Sequence, residues 1–190
     1  MTKGAGEKGD ANSAAGSGPA HPDGQAAVKK AGHRSGTLQV VEFLLGKEHY
    51  AIDLFDVREV VEYTSITKLP DTPSYMKGII DLRGEITTII DLKERLNILE
   101  KSDQPIENSR IIVLDEKITR AKTGILVDDV LAVSTFEHGD IDSTSASGAK
   151  EDASILGIIK KKIREKEQER NELIIWIDIR HLLVDIGQGQ

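Results

Sequence analysis

The sequence predicts a mainly β protein made of two small five-stranded barrels packed together, with short terminal helices. Three observations lead there. Runs rich in Val, Ile, Leu and Phe recur from residue 38 to residue 177, most of them about five to eight residues long, the usual length of a strand. Many of these runs are bounded by Gly, Pro, Asn or Asp. A pattern found in the first half then returns, in the same order, in the second.

Taken along the chain, residues 1–36 come first. They hold 8 of the 17 glycines, and Val28 is their single large aliphatic residue after Met1. Such a segment buries too little apolar area to offset its ordering entropy and is expected to be a disordered tail. Lys3, Lys8, Lys29, Lys30 and Arg34 stand against Glu7, Asp10 and Asp23, a charge of +2 that leaves −9 on the rest of a chain whose net charge is −7. The tail reads as a flexible leader or as a weak electrostatic tether. At Leu38 the character changes. LQVVEFLLG and KEHYAIDL form a strand–turn–strand unit. Further strand candidates are TSITKL, KGIIDL, EITTIID, RIIVLD, TGILVD, LAVSTF, ILGIIK and ELIIWID. Ile86, Thr88 and Ile90 alternate with Thr87, Ile89 and Asp91, the period of two that a strand imposes. Helix signals are fewer. Leu92, Leu96 and Leu99 share one face of LKERLNIL, Ile179, Leu182 and Leu183 do the same near the end, and FDVREVVE is short enough for one or two turns.

The repeat organises these elements. Ala51 to Val60 recurs as Gly124 to Val133 without a gap, Gly78-Ile79-Ile80 recurs as Gly157-Ile158-Ile159, and Ile90-Asp91-Leu92-Lys93 recurs as Ile177-Asp178-Ile179-Arg180. Two similar units follow, about 37–107 and 108–187, within one domain over 37–187, and their boundaries can be intertwined. Neither is large enough to bury much core alone, so they are expected to pack together, and closure of five short strands into a barrel removes exposed edges.

Composition narrows the function. The negative charge argues against sequence-independent nucleic-acid binding, which needs a cationic field. The absence of cysteine removes disulfides, thiolate nucleophiles and cysteine metal sites. No apolar run reaches the roughly 20 residues of a membrane helix, and MTKGAGEKGD lacks a signal peptide's apolar core. The expectation is a cytoplasmic protein without direct membrane insertion. The chain holds no G-x-G-x-x-G, Walker loop, G-x-S-x-G or H-E-x-x-H. His21, His33, His49, His138 and His181 show no metal-ligand spacing. Asp128 and Asp129, adjacent on an extended chain, point to opposite faces and chelate poorly, so a turn explains them better. Asp91 and Asp178 precede the two helical stretches at matched places, which suits N-capping. No catalytic residue, cofactor or metal site is assigned. A small metal-dependent hydrolase is the alternative from another class, and it rests on scattered Asp and His alone.

Two features point to binding. Gly78 to Glu85 leads two aliphatic residues into a polar turn, with Gly84 supplying the positive φ of a tight hairpin and Arg83 at the tip. Such an arginine is either solvated or offers its planar fork to a carboxylate. Val57, Val60 and Val61 are matched by Val130 and Val133 in the second half; they are either core or the flanks of a groove between the units. A third segment, KKKIREKEQERNE at 160–172, has Ile163 as its lone aliphatic residue and is expected to be an exposed hairpin extension outside the core.

Taken together, FLLGKEHYAIDLFDVREVVE, ITKLPDTPSYMKGIIDLRGEITTIIDLKERL, TGILVDDVLAVSTF and IIWIDIRHLL resemble the CheW family of chemotaxis adaptors, over about residues 37–186. The resemblance implies two Src-homology-3-like barrels and a non-enzymatic scaffold that couples methyl-accepting chemoreceptors to the CheA histidine kinase beneath membrane receptor arrays. The implied partners are the kinase regulatory domain and the receptor's cytoplasmic tip; another CheW-like regulatory adaptor of a two-component system is the near alternative. It also implies site residues. Val57, Val60, Val130 and Val133 match positions beside the receptor groove, while Glu59 and Arg83 match residues that couple kinase and receptor. The chain departs from the family where Asp81 replaces an Asn, where Asp128-Asp129 replaces Asp-Gly, and in the long, charged stretch from Lys160 to Glu172.

Overall fold

A computed structural model describes residues 36–100, 104–119, 121–143, 154–165 and 168–184. The predicted tail, residues 1–35 above all, lies outside them. The chain is mainly β. Its strands are β1 (Thr37–Leu45), β2 (Glu48–Asp53), β3 (Val57–Glu62), β4 (Met76–Leu82), β5 (Glu85–Asp91), β6 (Arg110–Leu114), β7 (Thr123–Val127), β8 (Asp129–Glu137), β9 (Ile141–Asp142), β10 (Ile155–Glu165) and β11 (Gln168–Ile177). Two short helices, α1 (Leu92–Arg95) and α2 (Ile179–Leu183), follow β5 and β11. TSITKL, expected as a strand, contributes a single bridge, Thr67 to Ile79. FDVREVVE is one short 3-10 turn, Leu54–Asp56, that opens into β3.

The strands form a six-stranded sheet, ordered β8-β1-β2-β11-β10-β9, and a five-stranded sheet, ordered β3-β6-β7-β5-β4. The repeat is fully visible in this order. Each sheet takes its central hairpin from one half of the chain and its other strands from the other half. β1 and β2 sit between β8 and β11, just as β6 and β7 sit between β3 and β5. The registers agree as well. Ala51 pairs with Trp176 in the parallel β2–β11 ladder, and its counterpart Gly124 pairs with Ile89 in the parallel β5–β7 ladder. The bulge at Met76/Gly78 recurs at Ile155/Gly157. The strands of the two halves thus interleave, with no break between the sheets at 107/108. The six-stranded sheet combines residues 37–53 with 129–177, while the five-stranded sheet is the continuous stretch 57–127. The exchange lets two units too small for a core of their own share one.

Packing follows the same symmetry. Leu38, Val40 and Ile159 lie inside the six-stranded sheet, where Ile111, Val113 and Ile80 occupy the matched places in the other. A third and largest cluster lies between the sheets. It draws Val41, Phe43 and Leu45 from β1, Ile112 and Leu114 from β6, and Ile179, Leu182 and Leu183 from the end of the chain. The α2 reading thus holds. The α1 reading holds for one turn only: Leu92 is fully buried, but Leu99, expected on the same face, is 94% exposed. Asp91 and Asp178 cap the two helices as expected. Asp91 Oδ1 accepts from the backbone N–H of Lys93 and Glu94, and Asp178 Oδ1 from that of His181.

Residues 160–172 are a hairpin extension, as expected, but their base belongs to the body. Lys161 Nζ donates to both oxygens of Glu42, at 2.9 and 2.7 Å, and Glu42 is fully buried in β1. Periodicity marks Lys161 as one more exposed cation because its partner is 119 residues away.

Candidate functional site

Five of the six predicted site residues lie on β3 and β8, each at one end of its sheet, and the sixth, Arg83, lies in the turn between β4 and β5. β3 ends one sheet and β8 the other, so each has one unpaired edge. Val57 and Val130, at matched places, are half-buried and pack against the cluster between the sheets. Three residues on, Val60 and Val133 turn outward, 40% and 62% exposed. Leu131, beside them on β8, is exposed too. Each end strand thus carries one valine anchored to the core and one facing solvent.

Glu59 and Arg83 meet. Arg83 and Gly84 form the two-residue turn between β4 and β5, with φ of 56° and 84°. Asp81 Oδ1 accepts from the Gly84 N–H at 2.6 Å and fixes that turn. Arg83 then reaches the opposite end of its sheet, where its two terminal nitrogens donate to the two Glu59 oxygens at 2.8 and 3.3 Å. The arginine side chain nevertheless remains 73% exposed. Two of its five N–H donors are used, so others stay available to a partner.

This pair is part of a ring of charges that the sequence did not disclose. Arg58 donates to Glu116 at 2.9 Å, Lys122 lies 3.6 Å from the same carboxylate, and Lys122 also pairs with Glu85. The Lys122 ammonium holds the Glu85 carboxyl below its ordinary range. The ring surrounds a cleft of about 230 Å³ with buried Thr87 and Val113 in its lining. A larger cleft, about 350 Å³, runs along residues 91–100 and contains none of the predicted site residues. No pattern in the sequence marks Arg58, Glu116 or Lys122, because the turns that gather them are set by strand order and not by spacing.

Other charges hold the frame. Asp128 sits in the bend before β8, as the turn reading expects, and is buried. Its carboxylate accepts from Gly46 N–H at 2.6 Å and from Lys93 Nζ at 2.7 Å, which ties the two sheets together. Asp56 and Arg180 pair between the 3-10 turn and α2. Burial pushes the Asp56 carboxyl up despite the hydrogen bond from Arg180, and that bond in turn raises the guanidinium. Among the described residues no group of three or more His, Asp or Glu is placed to hold a metal ion, and no helix is long and apolar enough to cross a membrane.

Comparison with known proteins gives a consistent result. The family model described as CheW-like domain matches residues 39–187. The chemotaxis protein CheW of Treponema pallidum is 33% identical over 148 residues, covering 76% of this chain and 81% of that protein. The CheW of Bacillus subtilis is 32% identical over 132 residues, covering 69% and 81%. The crystal structure of the scaffolding protein TtCheW from Thermoanaerobacter tengcongensis superposes with a TM-score of 0.61 at 34% identity, covering 77% of this chain and 92% of that one. With the exchanged sheets and matched end strands described above, these similarities show that the chain belongs to the CheW-like family of chemotaxis scaffold proteins.

Proposed function

We propose that this chain is a non-enzymatic cytoplasmic adaptor that couples the cytoplasmic tip of a chemoreceptor to the regulatory domain of a CheA-type histidine kinase, beneath membrane receptor arrays. One observation carries the reading. On both β3 and β8 a valine seated on the core is followed, three residues on, by a valine facing solvent. An apolar strip on a rigid base suits the apolar face of a helical hairpin, the helix-in-groove mode of recognition. Val57, Val60, Val130 and Val133 would supply the apolar contact, and the Glu59–Arg83 pair its charged border. Arg83 is already held by Glu59, so less side-chain freedom is lost when it bonds a second carboxylate.

Reconstitution of receptor tip, kinase and this chain tests the reading. The parent should bind both partners and raise kinase activity. Val133→Asp, which must desolvate a carboxylate on docking, should weaken receptor binding on the order of tenfold or more. Arg83→Ala should keep the fold, since its side chain is mostly exposed, and impair kinase control. Failure of the parent to bind either partner, or turnover in a hydrolase and nucleotidase screen that survives repurification, would overturn the assignment.

A further inference from the structure

The β4–β5 hairpin and the β10–β11 hairpin are counterparts, but they differ in length. Two residues separate the paired Leu82 and Glu85, whereas ten separate the matched pair Lys161 and Glu172, so the second hairpin is eight residues longer. The extra length projects beyond its neighbours. β9 pairs with β10 only at Ile158 and Ile159, and β2 pairs with β11 only at Ile174, Ile175 and Trp176. Beyond these points the two strands pair with each other alone.

The base of this arm is tied to β1, the strand next to β8 in the sheet. Lys161 bonds Glu42, and the cross-strand neighbour of Glu42 is Ala132, flanked by the exposed Leu131 and Val133. Lys162 occupies the place that Arg83 holds in the other half, directly after the matched Leu82 or Lys161. The two halves then differ in one decisive way. Arg83 faces Glu59, while the counterpart of Glu59 is Ala132. Lys162 is exposed, and among the described residues no carboxylate pairs with it.

We propose that the β10–β11 arm is a charge-selecting wall of the docking strip on β8, with Lys162 as the specificity-determining cation for a helical partner that carries carboxylates beside its apolar seam. The inference rests on the docking reading of Val130 and Val133 and adds the partner's charge pattern to it. An unpaired exposed lysine costs the free protein little and gains a counter-ion only in the complex, so it favours an acidic partner over a neutral or basic one.

The test uses the full chain and a soluble receptor cytoplasmic-tip fragment, with affinity measured at low and at high salt. Lys162→Ala should weaken binding about threefold and Lys162→Glu more, both effects shrinking in about 0.5 M salt, while thermal melts stay at the parent value. Replacing residues 162–171 by Asn-Gly should match Lys162→Ala. Val133→Asp separates the two levels of the argument. If Val133→Asp abolishes docking but neither lysine variant changes affinity or its salt dependence, the arm is no part of the site and this inference fails alone. If Val133→Asp leaves docking intact, the strip on β8 is not the docking surface and both readings fall.

Discussion

Lys161→Ala is expected to be among the more damaging single changes to an apparently exposed cation in this protein. Glu42 is fully buried, and its two oxygens receive the Lys161 ammonium at 2.7 and 2.9 Å. Removing one member of a buried pair leaves a charge without compensation and costs about 3–5 kcal/mol. The Lys161 side chain is 32% exposed, so water softens the loss, and the low end, about 3 kcal/mol, applies. For a domain of this size that lowers Tm by about 6–12 °C. The single Trp, Trp176, packs against the core inside the same sheet and reports unfolding in urea by its fluorescence. The midpoint should fall with the m-value unchanged. Two controls sharpen the case. Glu42→Leu combined with Lys161→Met should recover most of the loss, because an apolar pair needs no counter-ion. Replacing 162–171 by Asn-Gly keeps Lys161 and should hold stability within about 1 kcal/mol, since closing a shorter loop costs less entropy, whereas replacing 161–170 should resemble Lys161→Ala. A Lys161→Ala midpoint within about 0.5 kcal/mol of the parent would refute the reasoning and return the lysine to the solvated surface.

Three further outcomes are expected. Val57→Asp should cost about 2 kcal/mol of stability because Val57 packs on the core between the sheets, while Val133→Asp stays within about 0.5 kcal/mol; equal losses in thermal melts would show that the two positions are not divided as described. Gly78→Ala should destabilise by about 2 kcal/mol or more, since Gly78 has φ +142° and a Cβ there would stand 2.8 Å from the Thr67 carbonyl carbon; an unchanged urea midpoint would contradict this geometry. Asp56→Asn tests the raised carboxyl: its folded pKa lies above the ordinary 3.8, so the folded protein keeps a proton that the unfolded chain has lost, and the parent should lose stability relative to the variant as pH rises from about 4 through the raised value. Urea titrations between about pH 3.5 and 7 read that gap, and a gap that stays constant or grows the other way removes the linkage.

Much of this was legible because strands and caps are local. The alternation Ile86 to Asp91, the positive-φ turn at Gly84 and the Asp caps of both helices are written in adjacent residues, and each is realised. The internal repeat was legible too, down to the matched valines. Interleaved boundaries were left open by the repeat, but which hairpins are exchanged was not legible, since pairing of β1 with β8 or β2 with β11 joins residues far apart in sequence and leaves no periodic trace. For the same reason Glu42–Lys161 and the Arg58–Glu116–Lys122 ring escaped notice, for a charge in sequence carries no sign of the strand that folds across it. Leu99 shows the opposite error. Its spacing fits a helix face, but α1 stops at Arg95 and Leu96 and Asn97 turn the chain away, Asn97 with φ +56°.

The interleaving of the two sheets has a consequence for the order in which a nascent chain can organise. The five-stranded sheet is contiguous and complete once Val127 has left the ribosome. The six-stranded sheet is not. β1 and β2 are made first, yet β1 waits for β8 and β2 waits for β11, so one edge of the N-terminal hairpin stays unpaired until Glu137 has emerged and the other until nearly the whole domain has. The middle of the chain is therefore the natural template on which the two ends later converge, and slow synthesis of the stretch between β8 and β11 leaves the open edge of β2, an early strand, at risk of wrong partners.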